Sequence, residues 1–333
     1  MHVFRTTGAG GPEVLSYEER AELTPGPSEL LVRVRATAIN RADLLQLRGG
    51  YAPPPDAPPD IPGLEYAGEV LAVGPRVRRF RPGDRVMGLV GGGAWAEQLT
   101  THEREAIPMP EAMSFTDAAA LPEVYLTAFD ALVLQGGMRP GETVLVHAVA
   151  SGVGSAAALL CRATGVRVVG TGRNAKKLER AREWGVEHTV LVEGPPPRFA
   201  DAVREATGGR GAELALELVG GDYLSETLEA LSPQGRVMVV GLVAGHRTQV
   251  NLSTLLVKRL RVTGTVLRSR PLEEKIALAQ AAERHLLPLF RSGALRPVID
   301  AVLPMQELRQ ALTRMASNET VGKIVLAWEQ AHS

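Results

Sequence analysis

The stretch from Thr143 to Lys177, TVLVHAVASGVGSAAALLCRATGVRVVGTGRNAKK, constrains the fold more than any other part of this chain. It reads as a buried strand, a tight turn of small residues, a helix of small apolar residues and a second strand that ends at Gly172. This order is typical of a mononucleotide-binding unit. Gly152 and Gly154 would let a pyrophosphate approach the main chain, and the first amides of the helix would bind it.

The residues that follow Gly172 predict which dinucleotide the unit binds. Units that bind NADH commonly have an acidic residue after the second strand, where it bonds the ribose 2′-hydroxyl. Here no carboxylate stands at that place, and Arg173, Lys176 and Lys177 follow instead. We therefore expect NADPH, with Arg173 and Lys177 bracketing the 2′-phosphate. The alternative is that these residues only form a solvated basic helix face.

Length and charge limit the remaining classes of protein. The chain has 333 residues, 45% of them hydrophobic, and 37 basic residues balance 37 acidic ones. This length predicts about two domains with cores of their own, and the balanced charge gives no reason to expect nucleic acid or an anionic membrane as a partner. No apolar run approaches the ~20 residues of a membrane span, and the N-terminus lacks the pattern of a secretory signal. A cytoplasmic protein is expected.

Two sequence textures indicate two domains. The first is rich in Gly, Pro and short strand-like runs, among them Leu30–Ala38 and Tyr66–Val73, and predicts an irregular domain that resembles a β-barrel. The second texture starts near Glu123. There, strand-like runs alternate with helical stretches: Val144–His147, Val166–Val169, Thr189–Val192, Leu214–Leu218, Val237–Val240 and Val262–Val266. Six strands in this arrangement predict a Rossmann-type, doubly wound parallel sheet.

The segment after Arg268 is too short to fold alone. It contains a long helical stretch, Glu273–Phe290, and a final strand, Lys323–Ala327. We expect it to return to the first domain and complete it. Residues 1–122 and 268–333 then form one domain, and residues 123–267 form the other.

Several separated motifs, in the right order, give the chain a family resemblance. They are NRADLLQLRGGYAPPP (Asn40–Pro55), IPGLEYAGEVLAVG (Ile61–Gly74), FRPGDRVMGL (Phe80–Leu89), GGGAWAEQ (Gly91–Gln98), LPEVYLTAFDAL (Leu121–Leu132), HAVASGVG (His147–Gly154), LRSR (Leu267–Arg270) and VGKIVL (Val321–Leu326). On these motifs, which span essentially the whole chain, it resembles the zinc-free quinone oxidoreductase (zeta-crystallin-like) branch of the medium-chain dehydrogenase/reductase superfamily. The resemblance implies a GroES-like catalytic domain followed by an NADPH-binding Rossmann domain.

The chain departs from the zinc members of that superfamily in its ligand positions. Zinc alcohol dehydrogenases have a cysteine ligand at or beside the position of Asn40, and a His-Glu pair where this chain has Leu64 and Glu65. The single cysteine, Cys161, excludes a four-cysteine structural zinc lobe. The seven histidines show no close metal-ligand spacing. We expect no metal, and we expect Glu65 to form a structural salt bridge.

The resemblance implies three catalytic residues. Asn40 is expected to hydrogen-bond the acceptor or the cofactor, Tyr51 to stack on the acceptor ring or donate a proton, and Thr127 to contact the nicotinamide. Each has a structural alternative: Asn40 closes a turn, Tyr51 anchors the proline-rich loop, and Thr127 is a capping hydroxyl. Asp43, in the same loop as Asn40, is interpreted as a helix cap rather than a catalytic group.

The resemblance also implies a set of cofactor contacts. They are Ser151, Gly152, Val153 and Gly154 around the pyrophosphate, Gly241, Leu242 and Val243 at the nicotinamide, Leu267 and Arg268 closing over it, and Lys323 at a cofactor phosphate. Relatives usually have glycine in place of Ser151, whose hydroxyl can donate to a phosphate although its Cβ crowds the turn. Lys323 is alternatively a surface lysine before an edge strand.

Three functions fit the sequence. The first is an NADPH:quinone oxidoreductase that transfers hydride or electrons, without a metal, to a quinone held in a cleft between the domains. The second is an NADPH-dependent reductase of activated alkenes such as enals or enoyl thioesters. The third is a non-catalytic NADPH-binding or structural protein. The resemblance also implies a homodimer paired through the Rossmann edge strand Val262–Val266.

Overall fold

The computed structural model describes residues 1–328 and divides the chain into two compact units. Unit 1 contains Met1–Leu126 and the residues from Leu267 onward, and unit 2 contains Thr127–Val266. The sequence patterns predict domain boundaries at 122/123 and 267/268 instead. These boundaries stay predictions. A helix from Pro122 to Phe129 runs through the first of them.

The described residues contain strands β1–β15 and α-helices α1–α11, together with three short 3₁₀ helices and a π-helical segment at Asp130–Gln135. The strands are β1 His2–Thr6, β2 Leu15–Glu19, β3 Glu29–Ala38, β4 Glu65–Val73, β5 Arg85–Leu89, β6 Gln98–His102, β7 Ile107–Pro108, β8 Thr143–Val146, β9 Arg167–Gly172, β10 His188–Leu191, β11 Ala212–Glu217, β12 Leu231–Val239, β13 Arg261–Gly264, β14 Ile299–Pro304 and β15 Lys323–Ala327. The helices are α1 Arg41–Leu47, α2 Phe115–Ala119, α3 Pro122–Phe129, α4 Gly152–Ala163, α5 Ala175–Ala181, α6 Ala200–Ala206, α7 Tyr223–Ala230, α8 Leu252–Lys258, α9 Leu272–His285, α10 Leu287–Arg291 and α11 Leu308–Ala316.

Unit 1 is built on a seven-stranded sheet around one hydrophobic core. The strand order is β14-β15-β3-β4-β5-β7, and β6 also pairs with β3, the longest strand. Trp95, Tyr66 and Leu30 lie in this core with no exposed surface, and Leu312 of α11 packs into it. In the middle of β3, the buried Val32, Val34 and Ala36 alternate with the less buried Arg33 and Arg35, which makes this part of the strand recognisable in the sequence.

The C-terminal segment completes unit 1, as the sequence predicted. Strand β15 pairs antiparallel with β3 and parallel with β14, so residues 299–327 supply one side of the sheet. Val325 and Leu326 are fully buried there. The predicted single helix Glu273–Phe290 is wrong in one respect: it is divided into α9 and α10, and Pro288, which lacks an N–H, is in the first turn of α10.

Unit 2 is a six-stranded parallel sheet, which confirms the predicted Rossmann class. The strand order is β10-β9-β8-β11-β12-β13. The residues of β8 from Val144 to Val146 have no exposed surface, as expected for a central parallel strand covered by helices on both faces. The chain proceeds outward from β8 to β10 and then restarts at β11 on the other side of β8. Ligands of such sheets bind at this reversal point, beyond the carboxyl ends of the strands.

No helix within residues 1–328 has both the length and the apolar character that crossing a bilayer requires.

Candidate active site

The turn between β8 and α4 lies at the reversal point of the unit 2 sheet. Ser151 is the N-cap of α4, and its hydroxyl oxygen accepts a hydrogen bond from the N–H of Gly154 at 3.1 Å. Ala148 has a φ of 45°, an uncommon value for a residue with a Cβ. A Cβ at Gly154 would lie 2.5 Å from the carbonyl oxygen of Ala148, so only glycine fits there. Ser151 therefore stabilises the helix end while its own hydroxyl hydrogen stays available to a phosphate.

A fully buried polar network at the ends of the neighbouring strands fixes this turn. The two ring nitrogens of His147 lie 2.8 Å from the hydroxyl of Thr171 and 2.9 Å from that of Thr227. Thr227 donates to the carboxylate of Glu217, which also accepts two main-chain N–H groups of the loop after β11. Burial lowers the pKa of His147, and nearby Glu217 opposes this effect. A neutral His147 thus connects the ends of β8, β9 and β11.

The other residues predicted to bind the cofactor in unit 2 follow neighbouring strands of the sheet. Arg173 is exposed and Lys177 partly exposed just after β9, where Asn174 caps α5 through the N–H of Lys177. Leu242 and Val243 follow β12 and are 52% and 62% exposed. The structure brings these residues to the same edge of the sheet as the turn, and their contacts with a cofactor stay predictions. Thr127 is buried in α3. Its predicted contact with the nicotinamide also stays a prediction.

In unit 1, α1 begins at a capping box. The carboxylate of Asp43 accepts a hydrogen bond from the N–H of Asn40 at 2.7 Å, so Asp43 acts as the helix cap that the sequence indicated. The amide group of Asn40 donates to the carbonyl oxygen of Ala38 at 3.2 Å and to the carboxylate of Glu65 at 2.8 Å. Both amide hydrogens of Asn40 are thus used inside unit 1. Its predicted hydrogen bond to an acceptor would require one of these bonds to break.

Lys323 lies at the centre of this buried cluster. Its ammonium group donates to the carbonyl oxygen of Ile39 at 2.8 Å, to the amide oxygen of Asn40 at 2.5 Å and to the carboxylate of Glu65 at 2.7 Å. Lys323 is 4% exposed, so the interpretation as a surface lysine is wrong. All three ammonium hydrogens have acceptors, and the predicted contact with a cofactor phosphate stays a prediction that this geometry does not support. The expected salt bridge of Glu65 is present.

Arg268 fixes Tyr51. Its guanidinium donates to the carbonyl oxygens of Gly91 at 2.8 Å and Tyr51 at 3.2 Å, and to the side-chain oxygen of Gln46 at 2.7 Å. The same group lies over the Tyr51 ring, 4.9 Å from its centroid. Arg268 and Leu267 are both buried, and the predicted closure of either over a cofactor stays a prediction. The bonds of Arg268 lie within unit 1, where they hold Tyr51 in place.

Two further carboxyl groups share this cluster. Burial raises the pKa of Asp43 to about 7, against the opposing N–H of Asn40 and the charge of Lys323. Burial raises the pKa of Glu123 to about 7 as well. The main-chain N–H of Glu123 donates to Glu65 at 2.9 Å, which places it beside the cluster.

Sequence reasoning missed Glu123 and Gln46 in unit 1 and the network of His147 and Glu217 in unit 2. The one available signal for Glu123 was an acidic residue inside the otherwise apolar run LPEVYLTAF. Gln46 carries no comparable local signal, because its partner Arg268 is remote in the sequence. Glu217 carries a signal of the same kind as Glu123, since it is an acidic residue at the end of the mostly apolar strand β11.

Comparison with known proteins agrees with the two units. A family model described as an alcohol dehydrogenase GroES-like domain matches residues 26–111, and one described as a zinc-binding dehydrogenase matches residues 152–283. The chain is 36% identical to a quinone oxidoreductase of Pseudomonas aeruginosa over 95% of this chain and 96% of that protein. It is 34% identical to the synaptic vesicle membrane protein VAT-1 homolog of Rattus norvegicus over 96% of this chain and 82% of that protein. The structure of Escherichia coli quinone oxidoreductase complexed with NADPH matches with a TM-score of 0.86 and 28% identity, over 98% of this chain and 100% of that one.

A GroES-like unit joined to a Rossmann unit defines a class of oxidoreductases that use NAD(P)H. The chain belongs to the medium-chain dehydrogenase/reductase superfamily, in its quinone oxidoreductase/VAT-1 branch. The resemblance inferred from the sequence motifs is thereby confirmed.

The residues at the zinc-ligand positions of that superfamily do not fit a zinc ion. Leu64 has a hydrocarbon side chain, and the amide of Asn40 is bonded to its neighbours. Within residues 1–328, no group of three or more His, Cys, Asp or Glu side chains is arranged to hold a metal. A metal-independent reaction stays a prediction that rests on these residue types.

The raised pKa of Asp43 predicts how the free energy of unfolding depends on pH. Because the unfolded aspartate ionises near pH ~4, the folded state retains a proton that the unfolded chain has lost, and stability from this group falls as pH rises from about 4 to about 7. Asp43→Asn removes this loss. We expect its free energy of unfolding relative to the original chain to rise across that window by on the order of 2–4 kcal/mol.

Urea denaturation at a series of pH values measures this difference. Asp201→Asn is the matched control, because the Asp201 side chain is 97% exposed, and its curve should run parallel to that of the original chain. A pH-independent difference for Asp43→Asn would contradict the assignment of the proton to Asp43.

Proposed function

We propose that the chain is an NADPH-dependent quinone reductase that works without a metal. Full-length similarity to proteins named quinone oxidoreductase supports this proposal. The observation that carries it is the position of Lys323, whose ammonium is bonded to both Asn40 and Glu65. These are the polar side chains at or beside the zinc-ligand positions of related alcohol dehydrogenases. A fixed positive charge on the protein thus occupies this part of the site.

The turn of unit 2 fits a dinucleotide. Bound NADPH would supply the hydride. The main chain around Gly152 and Gly154 offers the N–H groups and the close approach that a pyrophosphate needs, and the Ser151 hydroxyl can donate to it. Arg173 and Lys177 would hold the 2′-phosphate. Their place directly after β9 supports this role.

The acceptor would contact Tyr51. Arg268 holds both the ring and the main chain of Tyr51, so the aromatic face is presented in one orientation. An aromatic surface held in this way suits a planar quinone, because hydride transfer depends mainly on positioning. Thr127 and the residues around Leu242 are proposed as nicotinamide contacts on the basis of the resemblance.

Turnover is the first test of this function. We expect the purified protein to oxidise NADPH when benzoquinones or naphthoquinones are added, and to do so after incubation with a strong chelator. Absorbance of NADPH measures the rate, and a parallel panel of enals and enoyl thioesters separates the quinone reaction from alkene reduction. If no acceptor in either panel increases NADPH oxidation, the protein is not a reductase of these compounds.

Cofactor choice is the second test. Each charge-assisted contact with a phosphate contributes about 1.5–3 kcal/mol, so removing both contacts in Arg173→Ala/Lys177→Ala should weaken NADPH binding by more than ~100-fold while changing NADH binding little. Fluorescence titration measures both dissociation constants. The double variant Arg180→Ala/Arg182→Ala removes two exposed charges from the next turns of the chain and serves as control. Equal weakening of NADPH and NADH would reject the phosphate site.

We also propose that two copies pair through unit 2. Strand β13 is the last strand of the parallel sheet, and all four of its residues are exposed. The neighbouring helix α8 presents Leu252, Leu256 and Val257, each about 72–73% exposed. A free edge strand beside an apolar helix face supports a two-fold interface, because an unpaired edge is otherwise open to aggregation.

Light scattering tests the pairing. The original chain should have the mass of a dimer at micromolar concentration, and Leu256→Glu should shift it to monomer because it places a charge in the apolar face. Leu134→Glu, at a position that is 47% exposed elsewhere in unit 2, should remain dimeric. A monomeric original chain would exclude this interface.

A further inference from the structure

The buried cluster of unit 1 contains more carboxyl groups than positive charges. Asp43, Glu65 and Glu123 interact with Lys323 and Arg268, so three carboxyls face two cations. Glu65 accepts three hydrogen bonds, one of them from an ammonium group, which suits an ionised carboxylate. Since an uncompensated buried charge is costly, the cluster favours a retained proton, and burial raises the pKa of both Asp43 and Glu123 to about 7.

Asp43 is placed to hold such a proton but not to transfer it to a bound acceptor. Its side chain has no exposed surface, and its Oδ1 atom has no hydrogen-bond partner among the described residues. A buried oxygen without a partner is costly when it carries charge. Protonation of Asp43 lowers this cost.

Glu123 has the opposite surroundings. It remains partly exposed, and its carboxyl group has no hydrogen bond within residues 1–328, whereas its main-chain N–H is fixed by Glu65. It interacts electrostatically with Tyr51, the aromatic side chain that Arg268 orients. A carboxyl group that is anchored through its main chain, has no hydrogen bond at its oxygens within residues 1–328 and interacts electrostatically with Tyr51 has the placement of a proton donor.

We propose that Glu123 is the general acid that protonates the reduced acceptor. This inference rests on the proposed quinone reductase function. The quinone gains a hydride, which carries two electrons, from bound NADPH and becomes a hydroquinone monoanion. The O–H bond of Glu123 then breaks, its electron pair stays on the carboxylate, and the proton forms a new O–H bond on the monoanion. A hydronium ion from the solvent then returns a proton to the carboxylate and leaves water, so each turnover consumes one proton from solution.

The charged and titratable groups that interact with Glu123 come from several different elements of unit 1. They are Asp43 on α1, Tyr51 in the loop after α1, Glu65 on β4, Arg268 before α9 and Lys323 on β15. The two cations lower the pKa of Glu123 and the two carboxylates raise it, while burial raises it most, to about 7. The acid form is therefore lost above neutral pH, and the rate constant for quinone reduction should fall about tenfold per pH unit there.

Glu123→Gln tests this role. The amide has the size of the carboxyl but carries no transferable proton, so kcat with a quinone should fall by about 10²- to 10⁴-fold and lose its decline above neutral pH. The dissociation constant for NADPH should stay within about twofold. Glu123→Asp retains an acid on a shorter chain and should recover part of kcat together with the decline at high pH.

Glu105→Gln is the matched control. Burial also raises the pKa of Glu105 to about 7, but its charged neighbours are Lys275, Asp56 and Glu29 rather than Tyr51. This variant should keep the kcat and the pH profile of the original chain. The midpoint of thermal unfolding, measured for every variant, shows that each is folded under the assay conditions.

The outcomes separate this inference from the proposed function. If the original chain reduces quinones and Glu123→Gln retains the same kcat and the same decline above neutral pH, Glu123 is not the acid, although the function stands. The inference is also overturned if kcat has the same pH dependence in Glu123→Asp as in Glu123→Gln, because the carboxyl group is then not the source of the fall in kcat above neutral pH. If the original chain reduces no quinone at any pH, the proposed function fails, and with it the reaction that Glu123 would serve.

Discussion

The buried ion pair between Lys323 and Glu65 is the interaction on which the rest of unit 1 depends. Removing an ammonium and a carboxylate from water costs several kcal/mol per ion, and their attraction offsets this cost only when the remaining hydrogen-bonding groups are satisfied. Lys323 meets this condition with three oxygen acceptors, which lie on Ile39, Asn40 and Glu65. The pair therefore joins three segments of the chain, which are the start of β15, the start of β4 and the N-terminus of α1. Loss of one partner would leave the other charge buried and alone, a change that costs about 3–5 kcal/mol in other proteins.

The same pair determines the protonation of its neighbours. Glu65 forms an ion pair with the ammonium of Lys323. The positive charge of Lys323 is therefore already largely compensated where it acts on Asp43 and Glu123. Burial then raises the pKa of both groups to about 7. Unit 2 solves a similar problem differently. Its buried His147 is flanked by hydroxyl groups, and burial lowers its pKa, so the ring stays neutral while the network fixes the turn between β8 and α4.

The fold could be predicted largely from local patterns. The central strand β8 is a short run of mostly apolar residues, and β8 to β11 lie within three residues of their predicted bounds. Strand β12 begins at Leu231 rather than Val237, because Ser-Pro-Gln-Gly at its start, with a positive φ at Gln234, has the composition of a turn. The site was less predictable. Asn40 and Glu65 were named separately, but the ammonium that joins them comes from a residue 283 positions after Asn40, and no local pattern encodes such a pairing. Glu123 was read only as the start of a new domain, since its partners are equally remote.

The hydrogen bonds of Lys323 bear on the acceptor that the proposed metal-independent reaction could use. A zinc ion can bind a substrate oxygen and stabilise its negative charge directly. The ammonium of Lys323 cannot do so, because all of its hydrogens are donated within unit 1. Negative charge on a reduced acceptor must then be dispersed in the acceptor itself and removed by a proton. A hydroquinone oxygen resembles the tyrosine phenol, whose pKa is about 10, because the ring disperses the charge. An acid with a pKa of about 7 can protonate such an oxygen favourably. An alkoxide localises its charge on one oxygen and needs more stabilisation while it forms. This difference supports the proposal of a quinone, rather than a simple ketone, as the acceptor.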